Sequence, residues 1–209
     1  MNSSLAKLAG LGSGPLGPSV VLAGDAFHTG DLEELGLLEL LRLKNGFYAF
    51  EGALHVYPTS ASGHALEDWN SPSAWRDAYQ GLADGCVFFA EDAFGCQFCV
   101  YERRVATFDP ETGEKSFIAT DVREWAGRIL ADYEVLTGYP LAHAWQERHG
   151  AIPPGQRLVP KIPFVLGGEF AVENLFLLDA SRSMRSRANL AVQIKDLPDG
   201  AKVKFKIVD

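Results

Sequence analysis

The residues best suited to chemistry lie in one central stretch of the chain, from Cys86 to Lys115. Within it, Cys96 and Cys99 form a Cys-x-x-Cys pair, the spacing of redox and zinc sites in which two sulfurs converge. The pair falls in a predicted strand, where side chains three residues apart point to opposite faces. Cys86 is the only other cysteine. We therefore predict buried structural cysteines, and the odd count disfavours a secreted disulfide framework.

Acidic residues cluster at the two turns of this stretch. Glu91 and Asp92 open the first turn, and Asp109 and Glu111 belong to the second. Paired carboxylates can serve as acid and base in a hydrolase, whereas an Asp in a turn commonly accepts hydrogen bonds from its own backbone. We favour the turn interpretation, with partner binding next. The predicted partner-binding residues are Asp84, Glu91, Asp92 and Glu111.

Other candidate sites have simple structural interpretations. The basic group of Arg182, Arg185 and Arg187 is interpreted as a solvated helix face, with a phosphate pocket as the alternative. Gly167-Gly168 lacks the dinucleotide-binding pattern, and the chain has neither a nucleophile elbow nor a P-loop. No metal-binding spacing, and hence no metal or cofactor site, is predicted from the five histidines, which are expected to be solvated or in the core: His28, His55, His64, His143 and His149.

Composition restricts the class of protein. With 209 residues, of which 47% are hydrophobic, the chain can form one domain with a substantial core. A formal charge of −8 disfavours direct binding of nucleic acid and is compatible either with ordinary solubility or with a basic partner. No apolar run reaches the roughly 18 residues of a membrane span, and the N-terminus does not resemble a secretory signal. We expect a cytoplasmic protein with a flexible tail over residues 1–18.

Hydrophobic periodicity and turn residues predict the elements that position these groups. Predicted helices follow Asp31, Ser71, Asp121 and Pro140, and another includes Met184 to Leu197. Residues 151–163 are predicted to form a loop. The predicted strands are Ser19–Ala23, Phe47–Phe50, Ala53–Tyr57, Cys86–Ala90, Cys96–Tyr101, Arg104–Phe108, Asn174–Leu178 and Lys202–Val208. Together they indicate an α+β fold, a curved and mainly antiparallel sheet packed by helices in one domain over residues 19–209.

Several segments resemble a known family. They are LLRLKNG (40–46), FYAFEGALHVYP (47–58), FFAEDAFGCQF (88–98), EWAGRIL (124–130), PFVLGGEFAVENL (163–175) and LAVQIKDLPDG (190–200). Their order is similar to that of the SUKH superfamily, which includes bacterial homologues of a yeast cell-wall assembly regulator. The resemblance extends over roughly residues 30–205 and rests on short structural motifs.

The resemblance implies an α+β binding domain without catalytic residues. Many bacterial members are immunity proteins that bind and neutralise a cognate toxin, often a nuclease, and others are general binding scaffolds. The expected function is therefore neutralisation of a bacterial toxin by a cytoplasmic, acidic protein. A regulatory scaffold without a toxin partner and an enzyme, such as a hydrolase, with a site built from scattered Asp, Glu and His residues remain the alternatives.

Overall fold

The computed structural model describes residues 3–20, 29–60, 65–198 and 200–201. Its helices are α1 (Ser4–Leu11), α2 (Thr29–Glu34), α3 (Leu37–Leu43), α4 (Leu66–Trp69), α5 (Val122–Ala131), α6 (Tyr133–Thr137), α7 (Tyr139–His149) and α8 (Ala180–Ile194). Its strands are β1 (Phe47–Ala49), β2 (Leu54–Val56), β3 (Val87–Asp92), β4 (Gln97–Tyr101), β5 (Arg104–Phe108), β6 (Lys115–Ala119), β7 (Gln156–Pro160) and β8 (Leu175–Asp179). Short 3-10 turns occur at Arg76–Tyr79, Phe164–Leu166 and Val172–Asn174.

The strands form two antiparallel sheets. β1 to β6 pair in chain order as one six-stranded meander, and β7 pairs with β8 in a separate sheet. The tight connection between β4 and β5 consists of Glu102 and Arg103, which both have positive φ. Such a turn matches the right-handed twist of the strands that it joins. The prediction of a single-domain, mainly antiparallel α+β fold is confirmed.

Apolar residues cover both faces of the large sheet. Phe88 and Phe89 are consecutive, so they point to opposite faces of β3. Phe88 contacts Trp75, whereas Phe89 contacts Trp125 of α5 at a ring separation of 5.0 Å. Trp75 and Trp125 are both fully buried. The sheet is therefore the central layer between α1, α3 and α5 on one side and the Trp75 segment and α8 on the other.

The N-terminal segment differs from the expected flexible tail. Residues 4–11 form α1, which begins where the Ser3 side chain accepts a hydrogen bond from the Ala6 amide. Leu5 and Leu8 are 0% exposed and belong to the main core, where α1 packs against α3 and α5. The Gly and Pro residues around this segment suggested a tail, but two leucines three residues apart suffice for one buried helical face.

Other boundaries also differ from the prediction. The helix expected from Asp31 is split, because Gly36 adopts a φ of +83° between α2 and α3. The helix expected after Ser71 is reduced to the 3-10 turn Arg76–Tyr79, and the predicted loop 151–163 contains β7. The predicted strand Lys202–Val208 and residues 21–23 of another lie outside the described residues. No helix in the described ranges is long and apolar enough to cross a membrane.

Replacement of a buried leucine of α1 tests whether this helix belongs to the core. We expect Leu8→Ala to lower the free energy of unfolding by about 2–5 kcal/mol, because it leaves a cavity between packed helices. Leu11, which is 60% exposed at the end of the same helix, provides the matched control, and Leu11→Ala should change stability little. Urea denaturation of both variants measures the difference. Equal effects of the two substitutions would show that α1 does not pack as described.

Candidate functional site

A row of polar side chains crosses the large sheet inside the protein. Strand register pairs Tyr48 with His55, His55 with Glu91, and Glu91 with Gln97, so the four residues, here called the polar rung, share one face. The Tyr48 and His55 rings stack with centroids 4.3 Å apart. His55 Nδ1 lies 3.1 Å from Glu91 Oε1, and Gln97 Nε2 donates to Glu91 Oε2 at 3.2 Å. Antiparallel pairing thus brings together residues distant in sequence.

Arg157 of β7 supplies the counter-charge of the rung. Its Nη2 lies 2.8 Å from Glu91 Oε1, and the two side chains are only 1% and 2% exposed. This contact is an ion pair rather than a well-aligned hydrogen bond. Burial by itself would raise the pKa of Glu91, but the charge of Arg157 and hydrogen bonds from His55 and Gln97 outweigh it and lower the pKa to about 2. Glu91 is therefore a buried, ionised carboxylate.

Gln97 connects the rung to the aromatic core. Its Oε1 accepts hydrogen bonds from Trp69 Nε1 at 2.8 Å and from the Tyr57 hydroxyl at 3.3 Å. Its Nε2 also donates to the Gly95 carbonyl at 2.9 Å. Every polar atom of this fully buried amide has a partner, as a buried amide requires. His55, Glu91 and Gln97 thus form a buried, hydrogen-bonded network, while Tyr48 is half-buried.

A cavity of about 290 Å³ lies beside the end of β3. Its lining residues are Asp92, Phe94, Cys96, Asp109, Pro110, Glu111, Thr112, Phe164, Val165, Phe170 and Arg187. Asp92 Oδ1 accepts hydrogen bonds from the amides of Phe94 and Cys96, each at 2.8 Å. Glu111 Oε2 accepts one from the Val165 amide at 2.9 Å. Glu111 Oε1 is buried and has no hydrogen-bond partner among the described residues.

Arg187 reaches this cavity from α8. It is 6% exposed and donates through Nη1 to the Phe94 carbonyl at 2.7 Å and through Nη2 to Ser183 Oγ. A Cβ atom on Gly95 would lie 2.7 Å from Arg187 Nη2, and Gly95 has a φ of +77°, so glycine is required there. Arg187 makes no ion pair within 4.0 Å in the described part of the chain. The interpretation of Arg187 as part of a solvated face is therefore wrong.

Burial changes the ionisation of the cavity. It raises the pKa of Asp92 to about 7, although the backbone amides and Arg187 favour the carboxylate. It also raises the pKa of Glu111. The pKa of the Cys96 thiol is raised well above its ordinary value by burial and by Asp92. Cys96 is consequently a thiol rather than an activated thiolate near neutral pH.

The four predicted partner-binding residues do not form one acidic face. Glu91 lies in the polar rung, and Asp92 and Glu111 lie together at the cavity, whereas Asp84 is exposed and lines neither. Glu91 and Glu111 are 1% and 4% exposed, so neither carboxylate extends into solvent from an open surface. The reason for the difference is that Glu91 lies within β3 with its side chain in the core, whereas Asp92 ends β3 and opens the turn that follows. Partner binding through Asp84 stays a prediction.

The cysteines and the described histidines lie in the core, at the cavity or at the surface. All three cysteines are free; Cys86 and Cys99 are buried near each other, while Cys96 is half-buried at the cavity. His55 belongs to the core, and His143 Nδ1 lies 2.7 Å from Glu51 Oε2 at the surface. His28 and His64 lie outside the described residues. Within the described residues, no group of three or more His, Cys, Asp or Glu side chains is arranged to hold a metal ion.

A loop beside the cavity exposes apolar side chains. Residues 162–170, here called the 162–170 loop, include Ile162, Val165 and Phe170, which are 58%, 43% and 71% exposed. Phe164 and Phe170 stack in parallel with ring centroids 4.0 Å apart. From the sequence, this segment was considered only for Gly167-Gly168 and for the resemblance of residues 163–175 to the SUKH superfamily. The combination of five large apolar residues with Gly167-Gly168 in a proline-rich region was the available signal.

Comparison with known proteins supports the fold alone. No protein-family model matches the chain, and no curated protein matches it significantly. A crystal structure of Atu4351 from Agrobacterium tumefaciens is similar over 90% of this chain and 89% of that chain, with a TM-score of 0.52 and 16% identity. At this identity the similarity concerns the α+β architecture and carries no information on activity.

Removal of the Glu91 charge tests the buried ion pair. We expect Glu91→Gln to lower the free energy of unfolding by about 3–5 kcal/mol, because Arg157 would be left as an uncompensated buried charge. The double variant Glu91→Gln/Arg157→Met should recover part of this loss, since neither charge then remains. Glu173→Gln, which removes an exposed ion pair with Arg148, should have little effect. Chemical denaturation measures all three, and a Glu91→Gln effect no larger than that of Glu173→Gln would contradict the network.

Asp92 should make stability depend on pH. Its pKa rises from an ordinary value near 3.8 to about 7 on folding, so the folded state holds a proton that the unfolded state has lost. Stability contributed by this proton is therefore lost as pH rises from about 4 to about 7. Asp92→Asn keeps the acceptor oxygen and removes the titration. We expect the variant to be as stable as the wild type near pH 4 and more stable above pH 7. Denaturation at both pH values measures the free energy of unfolding. The same dependence of this free energy on pH in both proteins would contradict the prediction.

Proposed function

We propose that this chain is a non-catalytic, protein-binding member of the SUKH superfamily, of the immunity type, that neutralises a bacterial toxin in the cytoplasm. The observation that carries the proposal is the 162–170 loop. Large apolar side chains as exposed as Ile162 and Phe170, grouped within nine residues, commonly mark an interaction surface. Aromatic residues are also enriched in the energetically dominant positions of protein interfaces.

The 162–170 loop is held in place before any partner arrives. Asn174 Oδ1 accepts a hydrogen bond from the Ile162 amide at 2.9 Å, and its Nδ2 donates to the carbonyls of Ile162 and Glu169, each at 3.0 Å. The Val165 amide donates to Glu111, as described above. A loop fixed in this way loses little conformational entropy on association. The fixed conformation of the 162–170 loop therefore supports a role in binding rather than a role as a simple connection between β7 and β8.

The acidic balance of the chain suits a basic partner. A formal charge of −8 attracts a positively charged protein, and charge complementarity mainly increases the rate of association. Toxins that act on nucleic acids carry basic surfaces, since they must bind phosphates. Neutralisation by steric and electrostatic occlusion of such a nuclease is the form of the proposal that the sequence resemblance also implies.

The polar rung supports a binding role over a catalytic one. The Glu91 carboxylate and the His55 imidazole are the strongest candidates for acid–base chemistry, but they and the paired Arg157 are nearly inaccessible to solvent. Their pairing explains their burial without any reaction. Cys96 is equally unsuited to act as a nucleophile, because burial keeps it protonated.

One observation favours a second candidate, an enzyme such as a hydrolase. Asp92, Asp109 and Glu111 line one cavity, and the raised pKa values of Asp92 and Glu111 are of the kind found in catalytic acids. The two Oδ1 atoms of the aspartates nevertheless accept backbone hydrogen bonds of the turns. This explains the carboxylates structurally and leaves protein binding as the favoured function.

Surface substitution tests the binding proposal. We expect the tagged wild-type protein to capture one stoichiometric toxin-like protein from source cells, and the purified pair to re-form with loss of toxin activity. Ile162→Asp should weaken this purified complex at least tenfold, because it places a charge in an apolar contact. Val135→Asp is the matched control, since Val135 is 74% exposed on α6, and it should bind as the wild type does. A housekeeping partner would instead support the regulatory scaffold, and unchanged affinity of Ile162→Asp would exclude the 162–170 loop.

A further inference from the structure

An unsatisfied carboxylate oxygen lies at the wall of the cavity beside the 162–170 loop. Glu111 is 96% buried, and its Oε2 is occupied by the Val165 amide, but its Oε1 has no donor among the described residues. A buried polar atom without a partner costs about 1–3 kcal/mol, and more when the group is charged. A hydrogen-bond donor that entered the cavity would recover that energy. The cavity therefore favours a ligand that carries a hydrogen-bond donor.

The aromatic side chains that line the cavity favour a ligand with a cationic group and an alkyl chain. Phe94, Phe164 and Phe170 all line the cavity, and the stacked pair Phe164–Phe170 stands at its solvent side, where Phe170 is mostly exposed. Phe94 meets Phe164 edge to face at 5.9 Å. Aromatic faces attract cations through their negative electron density and also pack against alkyl chains. A ligand with an alkyl stem and a cationic head satisfies both surfaces.

The charged groups around the cavity also favour a cationic ligand. Three carboxylates line it, those of Asp92, Asp109 and Glu111, against the single guanidinium of Arg187. Arg187 already directs hydrogen bonds to the Phe94 carbonyl and to Ser183, so part of its donor capacity is used within the protein. An anion would face more repulsion than attraction here. A cation near Glu111 gains from the excess negative charge and completes the hydrogen bonding of Oε1.

We propose that this cavity receives the side chain of a lysine or arginine from the bound protein, with the ammonium or guanidinium group at Glu111 and the stem against Phe164 and Phe170. The inference rests on the proposed function and names the chemistry of the contact. A volume of about 290 Å³ lies at the small end of ligand sites, which span about 300–1,000 Å³, and suits one side chain. Exposed Val165 and Ile162 provide apolar surface for the backbone that carries it.

The test uses a small probe and needs no partner. Agmatine, which carries a guanidinium and an ammonium group at the two ends of one alkyl chain, is titrated against the purified chain at pH 8, above the pKa of Asp92, and followed by calorimetry and backbone NMR shifts. We expect one saturable site with a dissociation constant on the order of millimolar, as suits a single side chain. N-acetyl-arginine amide should behave similarly, whereas N-acetyl-citrulline amide, which is uncharged and of similar shape, should bind at least tenfold more weakly.

Variants separate the roles of the lining residues. Glu111→Gln keeps an acceptor for the Val165 amide, so it should fold normally, but it should weaken agmatine binding at least tenfold by removing the charge. Phe170→Leu keeps apolar volume and removes the aromatic face, with an expected weakening of several-fold. Glu173→Gln removes an exposed carboxylate near the same loop and should leave the affinity unchanged. Circular dichroism and thermal unfolding confirm that each variant is folded.

The possible results distinguish the two proposals. No saturable binding, equal binding of the citrulline probe, or unchanged affinity of Glu111→Gln would overturn the cavity proposal. The binding function would still stand if Ile162→Asp weakened the purified complex. Saturable agmatine binding without any captured protein would overturn the assignment of the occupant to a protein side chain and indicate a free organic cation. Agmatine competing with the captured protein, together with sensitivity to Glu111→Gln, is the expected outcome.

Discussion

A buried ion pair joins the two sheets of this protein. Glu91 of β3 and Arg157 of β7 are almost completely removed from solvent, so neither charge is tolerated without the other. The pair is reinforced by His55 and Gln97, which the register of β2 and β4 places on either side of Glu91. Close by, the Leu158 amide donates to the Ala93 carbonyl at 3.0 Å and continues the link between the sheets. The position of β7 is thereby fixed relative to the meander.

The fixed position of β7 determines the surface beside it. The 162–170 loop connects β7 to the turn before β8, and Asn174 and Glu111 hold its backbone amides. Arg187 approaches the same region from α8 across Gly95. The cavity is thus formed by turns of the large sheet, by the 162–170 loop that joins the strands of the small sheet, and by α8. The buried Glu91–Arg157 ion pair, which fixes β7, therefore also fixes the loop that lines the cavity at the surface.

The sequence predicted the meander well and the cavity poorly. Strands β4 and β5 were predicted to within one residue and β3 to within two, because apolar runs are separated there by Gly, Asp and Pro with defined turn preferences. Strand β6 was not predicted. The helix α7 was predicted for the same local reasons. The helix split at Gly36 and the strand β7 were missed, since tertiary pairing with β8 rather than local propensity decides the latter.

Charged residues were the hardest to place from the sequence. Four charged residues of types that usually lie at the surface are buried here: Glu91, Glu111, Arg157 and Arg187. Glu91 and Arg157 form an ion pair, and Glu111 and Arg187 form hydrogen bonds with backbone groups of other segments. No spacing rule connects Glu91 with Arg157 or Glu111 with Val165. Arg187 gave a partial signal, since it follows Met184 and precedes Ala191 on the apolar face of α8. For this reason the four predicted partner-binding residues lie in different environments instead of forming one acidic face.

The packing of α1 has a consequence for synthesis of the chain. Among the described helices α1 is synthesised before its partner α5, which begins at Val122, more than a hundred residues later. Until α5 has emerged, Leu5 and Leu8 have no complete core to enter, and the nascent chain carries an uncovered apolar helix face. Docking of α1 is therefore a late, long-range event in folding. Cellular holdase chaperones that recognise exposed apolar segments have their longest opportunity to act at this end of the protein.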